Sequence, residues 1–200
     1  MLVADTLSHA FQRRTLFQGV SFSVSPGQLL RIQGPNGIGK TTLLRLLAGL
    51  HAPRSGTISM PASWEYLPAE GNALFGTLDA GTNLQFWQQL RGLPLEEAQI
   101  RDTLLAWKIP AALLDLRFPV GKMSTGMRRR IALCRLSLSQ TRYWLLDEPT
   151  SGLDAEGQAA FLGLVKNHLA HQGAAVLVSH DEALCTALQP TVLDLGHYAT

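Results

Sequence analysis

Three short stretches of this chain carry residue types whose order suits phosphate chemistry. The first is Gly34-Pro35-Asn36-Gly37-Ile38-Gly39-Lys40-Thr41-Thr42, which places glycine, four residues, then Gly-Lys-Thr. That spacing fits a polyphosphate cradle. Gly37 and Gly39 admit backbone conformations that a Cβ would block, so successive N–H groups can turn inward on an anion. Lys40 can then reach the β- and γ-phosphates of a nucleotide, and the Thr41 hydroxyl can hold Mg²⁺. The second stretch is Asp147-Glu148, directly after the apolar run Tyr143-Trp144-Leu145-Leu146. One carboxylate there can hold Mg²⁺, directly or through water, while its neighbour orients or deprotonates a water that attacks a γ-phosphate. The third is His180 in Val178-Ser179-His180-Asp181, from which an imidazole can hydrogen-bond a γ-phosphate and hold that water in line. Taken singly, a solvated strand end and a structural histidine compete with these readings. The phosphate loop upstream argues against both.

Such groups must be delivered by strands and helices, and the chain has both in the required order. Leu29-Leu30-Arg31-Ile32 reads as a short buried strand before the loop, and residues 43–48 as an amphipathic helix after it, closed by Gly49. The helix start adds positive potential where the loop ends. Residues 2–24 carry short β-rich runs broken by polar turns, which predicts an antiparallel element ahead of the nucleotide strand. From about residue 78 to 118 the periodicity is helical, with Leu84, Trp87, Leu90, Leu104 and Trp107 recurring at that spacing. Trp87 and Trp107 are expected in the core of this part. After Ser124 the α/β alternation resumes through two continuous apolar strands, at 143–146 and 174–178, and a last strand at 191–195. Fully apolar strands between helices predict a parallel sheet covered on both faces, with ligands at its carboxyl edge. The expected class is α/β with a mostly parallel core sheet.

Bulk composition excludes several other classes. Two hundred residues, 46 % hydrophobic and 16 % charged, can bury a core and are not a disordered segment. A net charge of +2 gives no general attraction to nucleic acid, so the run Arg128-Arg129-Arg130 calls for a local explanation. Cys134 and Cys185 stand far apart, without the spacing of a zinc site or a disulfide framework. No apolar run approaches the ~18 residues that span a bilayer, and the N-terminus lacks the layout of a signal peptide. A cytosolic protein, or one peripheral on the cytosolic face of a membrane, is expected.

Met123-Ser124-Thr125-Gly126-Met127, followed by Asp147-Glu148-Pro149-Thr150-Ser151-Gly152-Leu153-Asp154 and His180, makes nearly the whole chain resemble the ATP-binding subunits of ABC transporters. The motifs stand in family order and at family spacing. The resemblance implies a P-loop NTPase domain over residues 1–200. Its RecA-like core with the β-subdomain would take 1–76 and 123–200, and its inserted helical subdomain about 77–122 plus the signature helix. It implies ATP and Mg²⁺ as ligands, and a head-to-tail homodimer in the ATP-bound state. Each ATP would then lie between one copy's phosphate loop (Gly34, Pro35, Asn36, Gly37, Ile38, Gly39, Lys40, Thr41, Thr42) and the other copy's Ser124 and Gly126. Glu148 and His180 take the catalytic roles, and Thr41 and Asp147 the metal. Ser151 to Asp154 resembles the loop that links the two sites. By the same analogy, some of Arg128, Arg129 and Arg130 hold the signature helix through ion pairs.

Three departures from the family pattern stand out. Met123, Thr125 and Met127 replace the usual leucine, glycine and glutamine of the signature, and Met127 cannot make the hydrogen bonds of that glutamine. Glu70 occupies the position of the glutamine that touches Mg²⁺ and senses the membrane subunit; a carboxylate can still bind Mg²⁺ or its water, with added negative charge. The aromatic that stacks on adenine is Phe11 by spacing, with His9 second and a core role for Phe11 as the alternative. Within the family, the stretches at 14–17, 37–50 and 129–136 are similar to the ATPases of bacterial cytochrome c maturation, known as heme exporters. That likeness implies ATP hydrolysis at the cytoplasmic face of the inner membrane, coupled to movement or release of heme or a heme-loaded chaperone. Membrane contact would come only through partner membrane subunits, with no nucleic acid as a partner and no heme ligand in this chain. Another small exporter, a nucleotide-binding regulatory module with little turnover, and a soluble protein acting on ribosomes or DNA are the competing readings. The last usually carries two ATPase modules or a long coiled coil, and this chain has neither.

Overall fold

In the computed structural model, which describes residues 1–11 and 14–199, the chain divides into two compact units. The first comprises Met1–Tyr66, Thr141–Glu148 and Val165–Thr200, and the second Leu67–Gln140 and Pro149–Leu164.

Two sheets build the first unit. Strands β1 (Leu2–Phe11), β2 (Arg14–Val24) and β4 (Ser55–Ser59) form an antiparallel sheet in the order β2-β1-β4. Gly56 sits where β4 crosses the irregular part of β1. At φ +89°, a Cβ there would meet the Asp5 carbonyl oxygen at 2.5 Å, so only glycine allows that approach. The second sheet has the order β5-β6-β7-β3-β8, made from β3 (Leu29–Gln33), β5 (Trp64–Leu67), β6 (Tyr143–Asp147), β7 (Ala174–Val178) and β8 (Thr191–Asp194). The pairs β6/β7, β7/β3 and β3/β8 are parallel. Every residue of β6 and β7 is buried, which is why their sequences read as unbroken apolar runs. Helix α1 (Lys40–Leu47) lays Leu43, Leu44, Leu46 and Leu47 into one core with Phe17, Val20, Leu145 and Val176. The end of α6 (Ala155–Ala170) brings His168 flat against Trp144, with ring centroids 3.5 Å apart, over Gly173, where a Cβ would meet the imidazole at 2.3 Å. Helix α7 (Glu182–Leu188) completes the unit, its start capped by the Asp181 carboxylate accepting from the Leu184 N–H at 2.9 Å.

The second unit is helical. It contains α2 (Ala80–Leu90), α3 (Glu97–Ala106), α4 (Ala111–Asp115), α5 (Thr125–Leu138) and the first part of α6. Asp79 caps α2 by accepting from the Thr82 N–H, and Ser124 caps α5 by accepting from the Met127 N–H. Trp107 is buried, as its spacing predicts, and its indole N–H donates to Ser137 Oγ at 2.9 Å. Trp87 is half-buried; it donates to the Ala73 carbonyl and carries the Arg135 guanidinium 4.0 Å over its ring. Burial pushes that guanidinium down to about 10. Leu90 shares the helical spacing of Leu84 but is 64 % exposed. Asn83 is fully buried, although nothing in its sequence context marks it. It accepts from the Phe75 N–H and donates to the carbonyls of Phe75 and Asp79, closing the turn ahead of α2.

Candidate active site

Past Gln33 the backbone leaves β3 through three glycines with positive φ: Gly34 at +140°, Gly37 at +78° and Gly39 at +113°. Gly39 is also the N-cap of α1 and gives that helix no side-chain cap. The first N–H groups of a helix have no intrahelical partner, so this end is suited to an anion. A side chain at Gly39 would lie 3.2 Å from two carbons of the buried Phe17 ring, which adds a packing reason for glycine there. Lys40 is buried and folds back over the loop, its ammonium donating to the Gly34 carbonyl at 2.7 Å and the Pro35 carbonyl at 3.2 Å. Ile38 packs into the core, and Thr41 and Thr42 are half-buried in the first turn of α1.

The same sheet delivers the acid and the histidine. Asp147 ends β6, paired in register with Val178 of β7, and is 1 % exposed. Burial, and then the Asp147 charge, raise the Tyr66 phenol above its ordinary range. The next residue, Glu148, adopts φ +45°, a conformation costly for a side chain of its size, and its N–H donates to the Val178 carbonyl at 2.8 Å. Its carboxylate accepts the His180 N–H at 3.3 Å and stands 3.6 Å from His180 Nε2. Lys40, His180, Gly34, Gln33 and Asp194 line a single cavity of about 280 Å³ together with Arg31 and Glu182. In sequence Arg31 is one more residue of a buried strand; the signal that could have marked it is a guanidinium amid Leu29, Leu30 and Ile32.

The oxygen donors here suit a hard cation. Among the described residues no three His, Cys, Asp or Glu side chains gather into a metal cage. A Thr41 hydroxyl and an Asp147 carboxylate match the sparse protein ligation that Mg²⁺ accepts when phosphates and water complete its shell.

The remaining candidates lie elsewhere. Phe11 ends β1 and is 67 % exposed, so it is no part of the core. Ser124, Gly126 and Glu70 belong to the helical unit. Glu70 is exposed and lines a cavity of about 510 Å³ with Thr125, Arg128, Arg129, Ser151 and Gly152. Gly126 runs so close to the loop before α6 that a Cβ would meet the Gly152 carbonyl at 2.9 Å. Of the basic run, Arg130 pairs with Asp154 at 2.6 Å and donates to the Trp107 carbonyl. Arg129 donates to the carbonyls of Pro149 and Pro68 and to the Asn72 amide. Among the described residues no helix is long and apolar enough to cross a membrane.

Known proteins match this arrangement over its whole length. Residues 17–151 fit the family model of the ABC transporter. The cytochrome c biogenesis ATP-binding export protein CcmA of Rhodobacter capsulatus is 40 % identical over 99 % of this chain and 88 % of its own. Its namesake in Cereibacter sphaeroides is 41 % identical over 92 % of this chain and 83 % of its own. Among solved structures, a dimeric ATP-binding cassette in a post-hydrolysis state with ADP and Pi superposes with a TM-score of 0.84 at 17 % identity, covering 98 % of this chain and 94 % of that one. With its phosphate loop, its acid pair and its histidine on one sheet edge, the chain belongs to the ABC transporter family and has the fold of that family's ATP-binding cassettes.

Proposed function

We propose that this chain is the ATP-hydrolysing subunit of an exporter that serves cytochrome c biogenesis. The observation that carries the reading is the cavity where Lys40 and His180 meet, beside Glu148. The names of the relatives at 40 % and 41 % identity supply the process. In this reading Lys40 leaves the Gly34 and Pro35 carbonyls for the β- and γ-phosphates, and the N–H groups from Gly37 to Thr42 cradle them. Thr41 and Asp147 would hold Mg²⁺. When bound, Mg²⁺ neutralises charge on the β- and γ-oxygens. Glu148 takes a proton from the water that attacks the γ-phosphorus as the bond to the leaving ADP breaks. His180 hydrogen-bonds the γ-phosphate and keeps that water in line. Phe11, exposed at the end of β1, offers its face to adenine.

Ser124 and Gly126 act on the nucleotide of a second copy. Ser124 already opens α5 as its cap, so its N-terminal end can meet a γ-phosphate. Hydrolysis then needs a homodimer, docked on membrane subunits at the cytoplasmic face of the inner membrane, with heme or a heme-loaded chaperone as the cargo moved or released.

The test is Glu148→Gln. A general base contributes about 10²–10⁴ in rate, so hydrolysis should fall by that factor while ATP holds the variant as a dimer in gel filtration. Unchanged ATPase activity would sink the assignment of the base. One feature favours a second reading, a nucleotide-binding regulatory module: Met127 replaces a hydrogen-bonding glutamine. Tight ATP binding with background hydrolysis, even beside the membrane subunits, would select it. Purification from detergent-solubilised membranes tests the process, since a different permease in the complex would overturn the cytochrome c assignment.

A further inference from the structure

A half-buried arginine in a parallel strand needs partners, and those of Arg31 lie in one place. Arg31 sits third in β3, with its side chain 12 % exposed. Its Nη2 donates to the Ser179 carbonyl at 3.1 Å. Both terminal nitrogens also face Glu182, Nη1 donating to Oε2 at 3.2 Å and Nη2 to Oε1. Ser179 opens the three-residue connection from β7 to α7 and Glu182 begins that helix, so the two flank His180 and Asp181. We propose that Arg31 and Glu182 form a clamp that positions His180 for hydrolysis. The inference rests on the reading that His180 acts on the γ-phosphate.

Local bonds also shape the segment. The Asp181 N–H donates to Ser179 Oγ at 3.1 Å, and the Asp181 carboxylate caps α7. Those two bonds shape the turn but tie it only to itself. The His180 ring is 60 % exposed, and its backbone N–H reaches the Glu148 carboxylate at 3.3 Å. Arg31 supplies a fixed reference for this turn in a neighbouring strand, because β3 and β7 pair in register at Arg31 and Leu177. A guanidinium suits this position because its planar fork can address a carbonyl and a carboxylate at once, which a lysine ammonium does less rigidly. The pairing lowers the Glu182 carboxyl and raises the Arg31 guanidinium. Glu182 is 75 % exposed, so the ion pair itself adds little stability, and its value lies in geometry. Arg31 also lines the same cavity as Lys40 and His180, without needing to touch the reacting atoms. It is a positioning residue.

A mutant cycle separates this role from a merely structural one. Steady-state ATPase kinetics are measured on the full chain, on Arg31→Met, on His180→Ala and on the double variant, with thermal unfolding alongside. The clamp predicts that Arg31→Met lowers kcat about tenfold with KM for ATP within about twofold. In the His180→Ala background the same change should lower kcat by less than about twofold, since it then has nothing left to position. Glu182→Gln, at an exposed position where folding is not at risk, should show the same dependence on His180 with a smaller loss, because the Ser179 bond remains. Equal losses in both backgrounds, for either substitution, overturn the clamp while leaving the role of His180 intact. Full activity of His180→Ala overturns the role of His180 itself, and the clamp with it.

Discussion

Two glycines of one loop offer a sharp test of why the loop is built as it is. Gly37 and Gly39 both have positive φ, at +78° and +113°, yet their surroundings differ. A Cβ at Gly37 meets no atom within 4 Å, whereas one at Gly39 lies 3.2 Å from two Phe17 ring carbons and 3.4 Å from the Leu16 Cβ. Alanine at Gly37 enters the edge of the left-handed region, at a cost of about 1–2 kcal/mol. At Gly39 the backbone lies beyond that region, so strain of up to roughly 3 kcal/mol applies. Phe17 is fully buried and cannot swing away without opening the core around α1, and overpacking adds about 1–3 kcal/mol. Gly39→Ala should therefore be less stable than Gly37→Ala by roughly 1–4 kcal/mol, read from urea midpoints with unchanged slope. Relief of the clash must move the loop, and losing one N–H bond to a phosphate is worth about 1.5–3 kcal/mol. The dissociation constant for ATP should accordingly rise about tenfold or more in Gly39→Ala. A midpoint for Gly39→Ala equal to or above that of Gly37→Ala would show that the Phe17 wall yields, and would refute the packing argument.

His168 and Asn83 give two further predictions. Burial lowers the His168 imidazole below its ordinary range, so the unfolded chain binds its proton more readily. Its contribution is complete above about pH 6.5 and is lost as pH falls from there towards the lower folded value. His168→Phe keeps a ring on Trp144 and should flatten the urea midpoint between about pH 7.5 and 5.5; an unchanged slope in that window would refute the assignment. Asn83→Ala takes the side-chain acceptor from the Phe75 N–H and should lower stability by about 1–3 kcal/mol in the same assay.

Local composition reveals those parts of the fold that local chemistry dictates. The unbroken apolar runs at β6 and β7 meet sheet neighbours and helices on both faces, so their burial is complete and their type legible. Trp107 is expected inside and is inside. What stays hidden depends on partners distant in the chain. Arg31 and Glu182 are 151 residues apart, and neither has a neighbour in sequence that points to the other. Asn83 looks like any polar residue on an amphipathic helix until the turn before α2 folds back over it. Arg129, in the middle of a basic run, reaches the main-chain carbonyls of Pro149 and Pro68 and the Asn72 amide, which no charge pattern could have revealed.

The candidate site illustrates the same division on a larger scale. Each chemical group of the first unit lies just beyond the carboxyl end of a strand: Gly34 after β3, Glu148 after β6, and Ser179 and His180 after β7. Those strand ends are readable one by one, and parallel pairing guarantees that they open on the same edge. Chain order alone does not say that β7 lies between β6 and β3, which is what sets the Glu148 carboxylate beside His180. Register sharpens the point. Asp147 pairs with Val178, so Glu148 and Ser179 leave the sheet at the same level. A slip of one residue would turn the side chains of β6 to the opposite faces and carry Asp147 and Glu148 with them. The Glu148 N–H bond to the Val178 carbonyl continues the β6/β7 ladder one residue past the strand. It thereby holds Glu148 in its strained conformation, and strain of that kind persists only where the surrounding structure over-determines it. The two strands whose every residue is buried therefore also fix where Glu148 and His180 stand.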